Sequence, residues 1–83
     1  MSQKIQVRVM FFAAATDVVG KRAFQISVPR NSKSRDLFDQ ILSQFPELKK
    51  YRLLFAVNQE YAKGNEILKE GDEVGIFTPV SGG

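Results

Sequence analysis

The residues with the clearest chemical potential stand together at the C-terminus, Pro79-Val80-Ser81-Gly82-Gly83. Pro79 has no N–H to give a sheet ladder, so it stops whatever strand precedes it. Gly82 and Gly83 carry no Cβ and accept close approach to another protein. A tail of this kind can thread a narrow channel and offer its terminal carboxylate inside another enzyme. A carboxylate is unreactive toward nucleophiles, but joined to AMP it becomes a mixed anhydride that sulfur or an amine attacks. Gly83 would then supply the reacting carbon and Gly82 the clearance around it. The plain alternative is a frayed end, since termini are commonly loose and polar. Glycine is about 7% of ordinary usage, so a closing pair arises by chance in roughly 0.5% of chains.

Little else in the chain can do covalent chemistry. There is no His and no Cys among the 83 residues. The commonest general base, the thiol nucleophile and the usual zinc ligands are therefore missing. Gly20, Gly64, Gly71 and Gly75 stand singly, so no glycine-rich phosphate loop is present. A self-contained enzyme is not expected, nor a bound cofactor or metal. Net charge is +3, unevenly spread. Residues 1–59 hold ten Lys/Arg against four Asp/Glu, and residues 60–83 hold two against five. The basic residues are scattered without a nucleic-acid motif, which reads as a solvated mixed-charge surface. No apolar run approaches the roughly 20 residues that span a bilayer, and Met1-Ser2-Gln3-Lys4 lacks the apolar stretch of a signal peptide. The expectation is a soluble, cytoplasmic protein that meets neither membrane nor nucleic acid.

The elements that must position the tail are legible in the hydrophobic pattern. In residues 4–12, Ile5, Val7, Val9 and Phe11 alternate with Gln6, Arg8, Met10 and Phe12, which predicts a half-buried strand. Residues 13–20 favour a short helical turn ended by Gly20. A second strand is expected at 22–28, closed by Pro29. Asn31-Ser32-Lys33-Ser34 offers side-chain oxygens to a helix start. Leu37, Phe38, Ile41, Leu42 and Phe45 follow at helical spacing, and Pro46 ends that helix. A turn at 47–51, a strand at 52–57, a brief strand near Tyr61 and a last strand at 73–78 complete the order. One domain is expected over 1–83, of the α+β class: a β-grasp, ubiquitin-like fold with a mixed sheet of about five strands. One main helix covers one sheet face, the first and last strands lie side by side in parallel, and the tail at 79–83 is flexible.

At this point the chain resembles a known family, the small, sulfur-carrying subunit of molybdopterin synthase. The resemblance covers nearly the whole chain. It rests on Val9-Met10-Phe11-Phe12-Ala13 with Gly20 after it, on Phe55-Ala56-Val57-Asn58-Gln59, on Leu68 with Gly71-Asp72-Glu73-Val74, and on Phe77-Thr78-Pro79-Val80-Ser81-Gly82-Gly83. Thr16-Asp17 and Thr78 depart from the family's usual Arg-Glu and Pro. The resemblance implies that a ubiquitin-activating-type adenylyltransferase uses ATP to adenylate Gly83, and that a sulfur donor protein then supplies the thiocarboxylate. The tail would enter a pocket of the large synthase subunit, in a 2+2 heterotetramer, and give its sulfur to cyclic pyranopterin monophosphate. Two carriers would serve each molybdopterin, and the catalytic side chains would lie on the large subunit. A thiamine-pathway sulfur carrier, a ubiquitin-like protein modifier and a plain β-grasp interaction or RNA-binding module with an inert tail are the alternatives.

The strand phases also predict a docking surface. Phe12 is out of phase with Val9 and Phe11, and Phe77 with Val74 and Ile76, so both belong on the sheet face away from the helix, with Met10 beside them. An exposed aromatic patch usually marks an interface. Phe12, Tyr61, Phe77, Pro79, Val80 and Ser81 are the expected partner-binding residues. Glu70, Asp72 and Glu73 are expected to form an acidic shoulder toward a basic partner surface.

Overall fold

The computed structural model describes residues 3–79. Five strands form one mixed sheet in the order β2-β1-β5-β3-β4. They are β1 (Lys4–Phe12), β2 (Ala23–Pro29), β3 (Leu54–Val57), β4 (Glu60–Tyr61) and β5 (Glu73–Phe77), with helices α1 (Ala14–Val19) and α2 (Ser34–Gln44) and a 3-10 turn at Pro46–Lys50. β1 and β5 are parallel neighbours, with Val9 opposite Val74 and Phe12 opposite Phe77. The other pairs are antiparallel. This is the β-grasp arrangement expected from the element order.

Alternation on β1 holds residue by residue. Ile5, Val7, Val9 and Phe11 are buried, while Lys4, Gln6, Arg8 and Phe12 are exposed. The buried side joins Val74 and Ile76 of β5, Leu37, Phe38 and Ile41 of α2, Ala15 of α1 and Leu48 of the 3-10 turn in one core. Aromatic rings fill its edges. Phe11 meets Phe24 edge-on at 5.5 Å, and Phe38 stacks on Phe55. Such pairs add to what area burial alone contributes.

The ends of the elements differ from expectation in instructive ways. β3 begins at Leu54, two residues late, and β5 ends at Phe77, one residue early. Pro29 sits within β2 rather than after it, opposite Lys4 on the edge strand, where its missing N–H costs no ladder bond. The expected turn after α2 is a 3-10 helix that buries Leu48 completely. The side-chain oxygens of Asn31, Ser32 and Ser34 do not cap α2. Instead the first free N–H groups of the helix, at Ser34 and Arg35, donate to the carbonyls of Glu66 and Gly64 at 2.8 and 3.1 Å. Asp36 reaches back to accept from the Lys33 N–H at 3.0 Å, and Ser32 Oγ donates to the Pro29 carbonyl. Thr16 has a structural task of its own: its hydroxyl donates to the Phe11 carbonyl at 2.8 Å and anchors α1 to the end of β1.

The loop that caps α2 is held by Glu66. Its carboxylate accepts from Ser34 Oγ at 2.6 Å, from the Lys63 N–H at 2.7 Å and from the Gly64 N–H at 3.0 Å. The Ser34 hydroxyl first, and then the backbone N–H groups, lower the Glu66 pKa from 4.5 to about 2, because each bond favours the charged form. A carboxylate with a lowered folded-state pKa stabilises the fold fully above its unfolded pKa and loses that contribution as pH falls through the folded one. The melting temperature of Glu66→Gln is therefore expected to lie below that of the wild type at pH 7, with the gap closing as pH drops from about 4.5 to about 2. Thermal melts across that range check this; a gap that does not change with pH contradicts it.

Candidate docking face and C-terminal tail

With one sheet face covered by the helices, the other carries the candidate site. Cross-strand partners point to the same side, so the register defines the face. Phe12 lies opposite Phe77 and Met10 opposite Gly75 across β1 and β5. Leu54 lies opposite Phe77 and Ala56 opposite Gly75 across β3 and β5. Ala56 also pairs with Tyr61 on β4. Two small residues, Gly75 and Ala56, thus lie side by side in the middle of a sheet whose neighbours are large. The result is a cleft of about 380 Å³ lined by Met10, Phe12, Ala56, Gln59, Tyr61, Glu73, Gly75 and Phe77.

Gly75 is the floor of this cleft because the Phe12 ring lies over it. A Cβ at Gly75 would stand 3.3 Å from Cε2 of Phe12, tighter than ordinary contact, so the ring would have to shift. Phe12 is 49% exposed and Tyr61 72% exposed, while Phe77 is half-buried between them. The Tyr61 and Phe77 rings are tilted, with centroids 6.1 Å apart. Large aromatic rings open to solvent on one contiguous face make this the candidate docking surface. Its apolar centre and its polar rim, Gln59 and Glu73, match the general anatomy of protein–protein contacts.

Of the residues expected to bind a partner, Phe12, Tyr61 and Phe77 are brought together on this face. Pro79 is exposed just beyond the end of β5, so the chain leaves the sheet from the strand that forms the cleft. Val80, Ser81, Gly82 and Gly83 lie outside the described residues. Two residues of the expected acidic shoulder also make hydrogen bonds within the domain. Asp72 holds the turn before β5: one carboxylate oxygen accepts from Asn58 Nδ2 at 3.0 Å and the other from the Lys69 N–H at 2.8 Å. Glu70 accepts from the Gln6 N–H at 3.2 Å. Glu73, opposite Arg8 across β1 and β5, is the acid that lines the cleft itself. Ala56, Gly75 and Gln59 were not anticipated as site residues. Their signal appears only when β3, β4 and β5 are set in register.

Among the described residues no group of three or more His, Cys, Asp or Glu side chains could hold a metal ion. No helix among them is long and apolar enough to cross a membrane.

The ThiS family model matches residues 9–83. The molybdopterin synthase sulfur carrier subunit of Homo sapiens is 39% identical over 83 residues, covering 94% of each chain. A Pyrococcus furiosus protein described as molybdopterin converting factor subunit 1 superposes with a TM-score of 0.84 at 30% identity, over 92% of this chain and 99% of its own. Subunits 1 and 2 of the molybdopterin-converting factor of Helicobacter pylori have been solved as a complex; the match there has a TM-score of 0.70 at 27% identity, over 95% and 100% of the two chains. The small archaeal modifier protein 1 of Methanosarcina acetivorans matches with a TM-score of 0.76 at 25% identity, over 99% of this chain and all of its own. The chain belongs to the ThiS family, among relatives that are the sulfur carrier subunits of molybdopterin synthase.

Proposed function

We propose that this chain carries sulfur for molybdenum cofactor synthesis on the main-chain carboxylate of Gly83, as a subunit of molybdopterin synthase without catalytic side chains of its own. What carries the reading is the 39% identity to a sulfur carrier subunit along 94% of both chains, with a family match that runs through Gly83. The carboxylate attacks the α-phosphate of ATP on an activating enzyme, releasing pyrophosphate and leaving an acyl-adenylate. Hydrosulfide-level sulfur released by a donor protein then attacks the carbonyl carbon and displaces AMP, which leaves a thiocarboxylate. Transfer of that sulfur to cyclic pyranopterin monophosphate, with an oxygen from water taking its place, returns the carboxylate. The work is cytoplasmic and needs no cofactor bound to the chain.

The partner in the last step is the large subunit, and the Phe12–Phe77–Tyr61 face is where it docks, in a 2+2 heterotetramer. Pro79, Val80 and Ser81 bind the same partner in this reading, and Gly82 and Gly83 enter its pocket. Phe77→Arg is expected to weaken the complex with the large subunit by at least about tenfold, since a central aromatic anchor is replaced by an unpaired charge, while the isolated domain melts normally. Calorimetric titration of the two subunits checks this, and unchanged affinity contradicts it.

The resemblance to a small archaeal modifier makes lysine conjugation the second reading. The same adenylate would be attacked by an amine. Mass spectrometry of the chain after incubation with activating enzyme, ATP and a sulfur source separates the two. The carrier reading predicts a free chain with one oxygen replaced by sulfur. Isopeptide adducts without that species would replace it with the modifier reading.

A further inference from the structure

The β3–β4 hairpin turns on two residues only, Asn58 and Gln59, with Val57 opposite Glu60. Both have positive φ, 49° and 71°, as the tight turn that matches strand twist requires. Asn58 is well suited to its position. Asparagine tolerates left-handed backbone, and its side chain is used: Oδ1 accepts from the Glu73 N–H and Nδ2 donates to Asp72, each at 3.0 Å. Gln59 is not suited. It occupies the second turn position, where glycine is the unstrained choice. Its side chain is exposed and makes no hydrogen bond among the described residues. Yet that side chain lines the same cleft as Phe12, Tyr61 and Phe77. The turn thus holds a left-handed backbone at a residue whose side chain makes no hydrogen bond among the described residues. Non-glycine residues held in such backbone cluster at functional sites.

We propose that Gln59 is a partner-recognition residue. Its primary amide, at the rim of the apolar cleft, pairs as donor and acceptor with a main-chain peptide group of the large subunit whose apolar side chains fill the cleft. This rests on the docking face proposed above. A primary amide is the one side-chain group in this cleft that offers both a donor pair and an acceptor without charge, which suits a peptide group better than an ion. Glu73 remains the group that would meet a cation.

The test measures stability and affinity together for Gln59→Gly and Gln59→Ala. Gln59→Gly removes the strain and the amide. Its melting temperature is expected to equal or exceed that of the wild type, while affinity for the large subunit falls about tenfold, the scale of one buried hydrogen-bonding group left unpaired. Gln59→Ala removes the amide but keeps a Cβ at positive φ. It should lose the same affinity and gain no stability, so a loss caused only by a looser turn would be seen as a difference between the two. Wild-type affinity in either variant, while Phe77→Arg still weakens the complex, overturns the role of Gln59 and leaves the docking face standing. A melting temperature for Gln59→Gly below the wild type overturns the strain on which the proposal is built. Wild-type affinity in Phe77→Arg itself removes the docking face instead.

Discussion

A chain extended by one residue after Gly83 is expected to fold normally and to lose sulfur loading by at least about 100-fold. The reacting carbon in this account is the main-chain carbonyl of Gly83, and nothing else in the chain can replace it: there is no Cys to hold sulfur and no His to assist. One added residue moves the carboxylate about 3.5 Å along an extended chain. In an aligned reaction a displacement of about 1 Å already costs on the order of 100-fold. Deletion of Gly83 fails for the same reason in the opposite direction. Neither change touches the core, which is built from residues 5–76, so the melting temperature serves as the control. The readout is the fraction of chain carrying thiocarboxylate after incubation with activating enzyme, ATP and a sulfur source. Normal loading of the extended chain would show that the reactive group lies elsewhere.

Ile41→Ala is expected to have the opposite profile, a large loss of stability with intact chemistry. Ile41 is wholly buried on the inner face of α2, in one core with Val7, Val9, Val74 and Ile76. Truncation to Ala removes buried methyl and methylene groups and leaves a cavity, at a typical cost of about 2–5 kcal/mol. In a domain of this size each kcal/mol lowers the melting temperature by about 4–8 °C, so a fall of at least about 10 °C is expected by calorimetry. Since small domains are held by only about 5–15 kcal/mol in total, this is a large share. Below its melting temperature the variant should still load sulfur on Gly83. Lost loading at full stability would give α2 a role beyond packing.

The core behind the second prediction is among the parts of the molecule most legible in the sequence. Strict alternation in β1 and β5 was enough to put Phe12 and Phe77 on the face opposite the helix, because side-chain direction in a strand depends only on parity. The 3.6-residue spacing of Leu37, Phe38, Ile41, Leu42 and Phe45 gave the covered face of α2 in the same way. What could not be read were features that depend on distant residues. The N-terminus of α2 is capped by the carbonyls of Gly64 and Glu66, some thirty residues downstream, and local serines suggested a local cap instead. Leu48 sits in a segment with no periodicity, and only the fold back onto α2 buries it. Gly75 and Ala56 look unremarkable in isolation and become a cleft floor when β5 and β3 pair. The hydrogen bonds that Asp72 accepts from Asn58 Nδ2 and the Lys69 N–H exist only once the turn before β5 closes.

The account stands most directly on sulfur transfer. The chain is loaded with radiolabelled sulfur at Gly83, freed of activating enzyme, and mixed with cyclic pyranopterin monophosphate in the presence or absence of the large synthase subunit. The account predicts that label leaves the chain and appears in the pterin only when the large subunit is present, that the chain returns with an ordinary carboxylate, and that Phe77→Arg slows the transfer at limiting subunit concentration. Label that stays on the chain, or a chain recovered as isopeptide adducts on lysines with no label in the pterin, would contradict it.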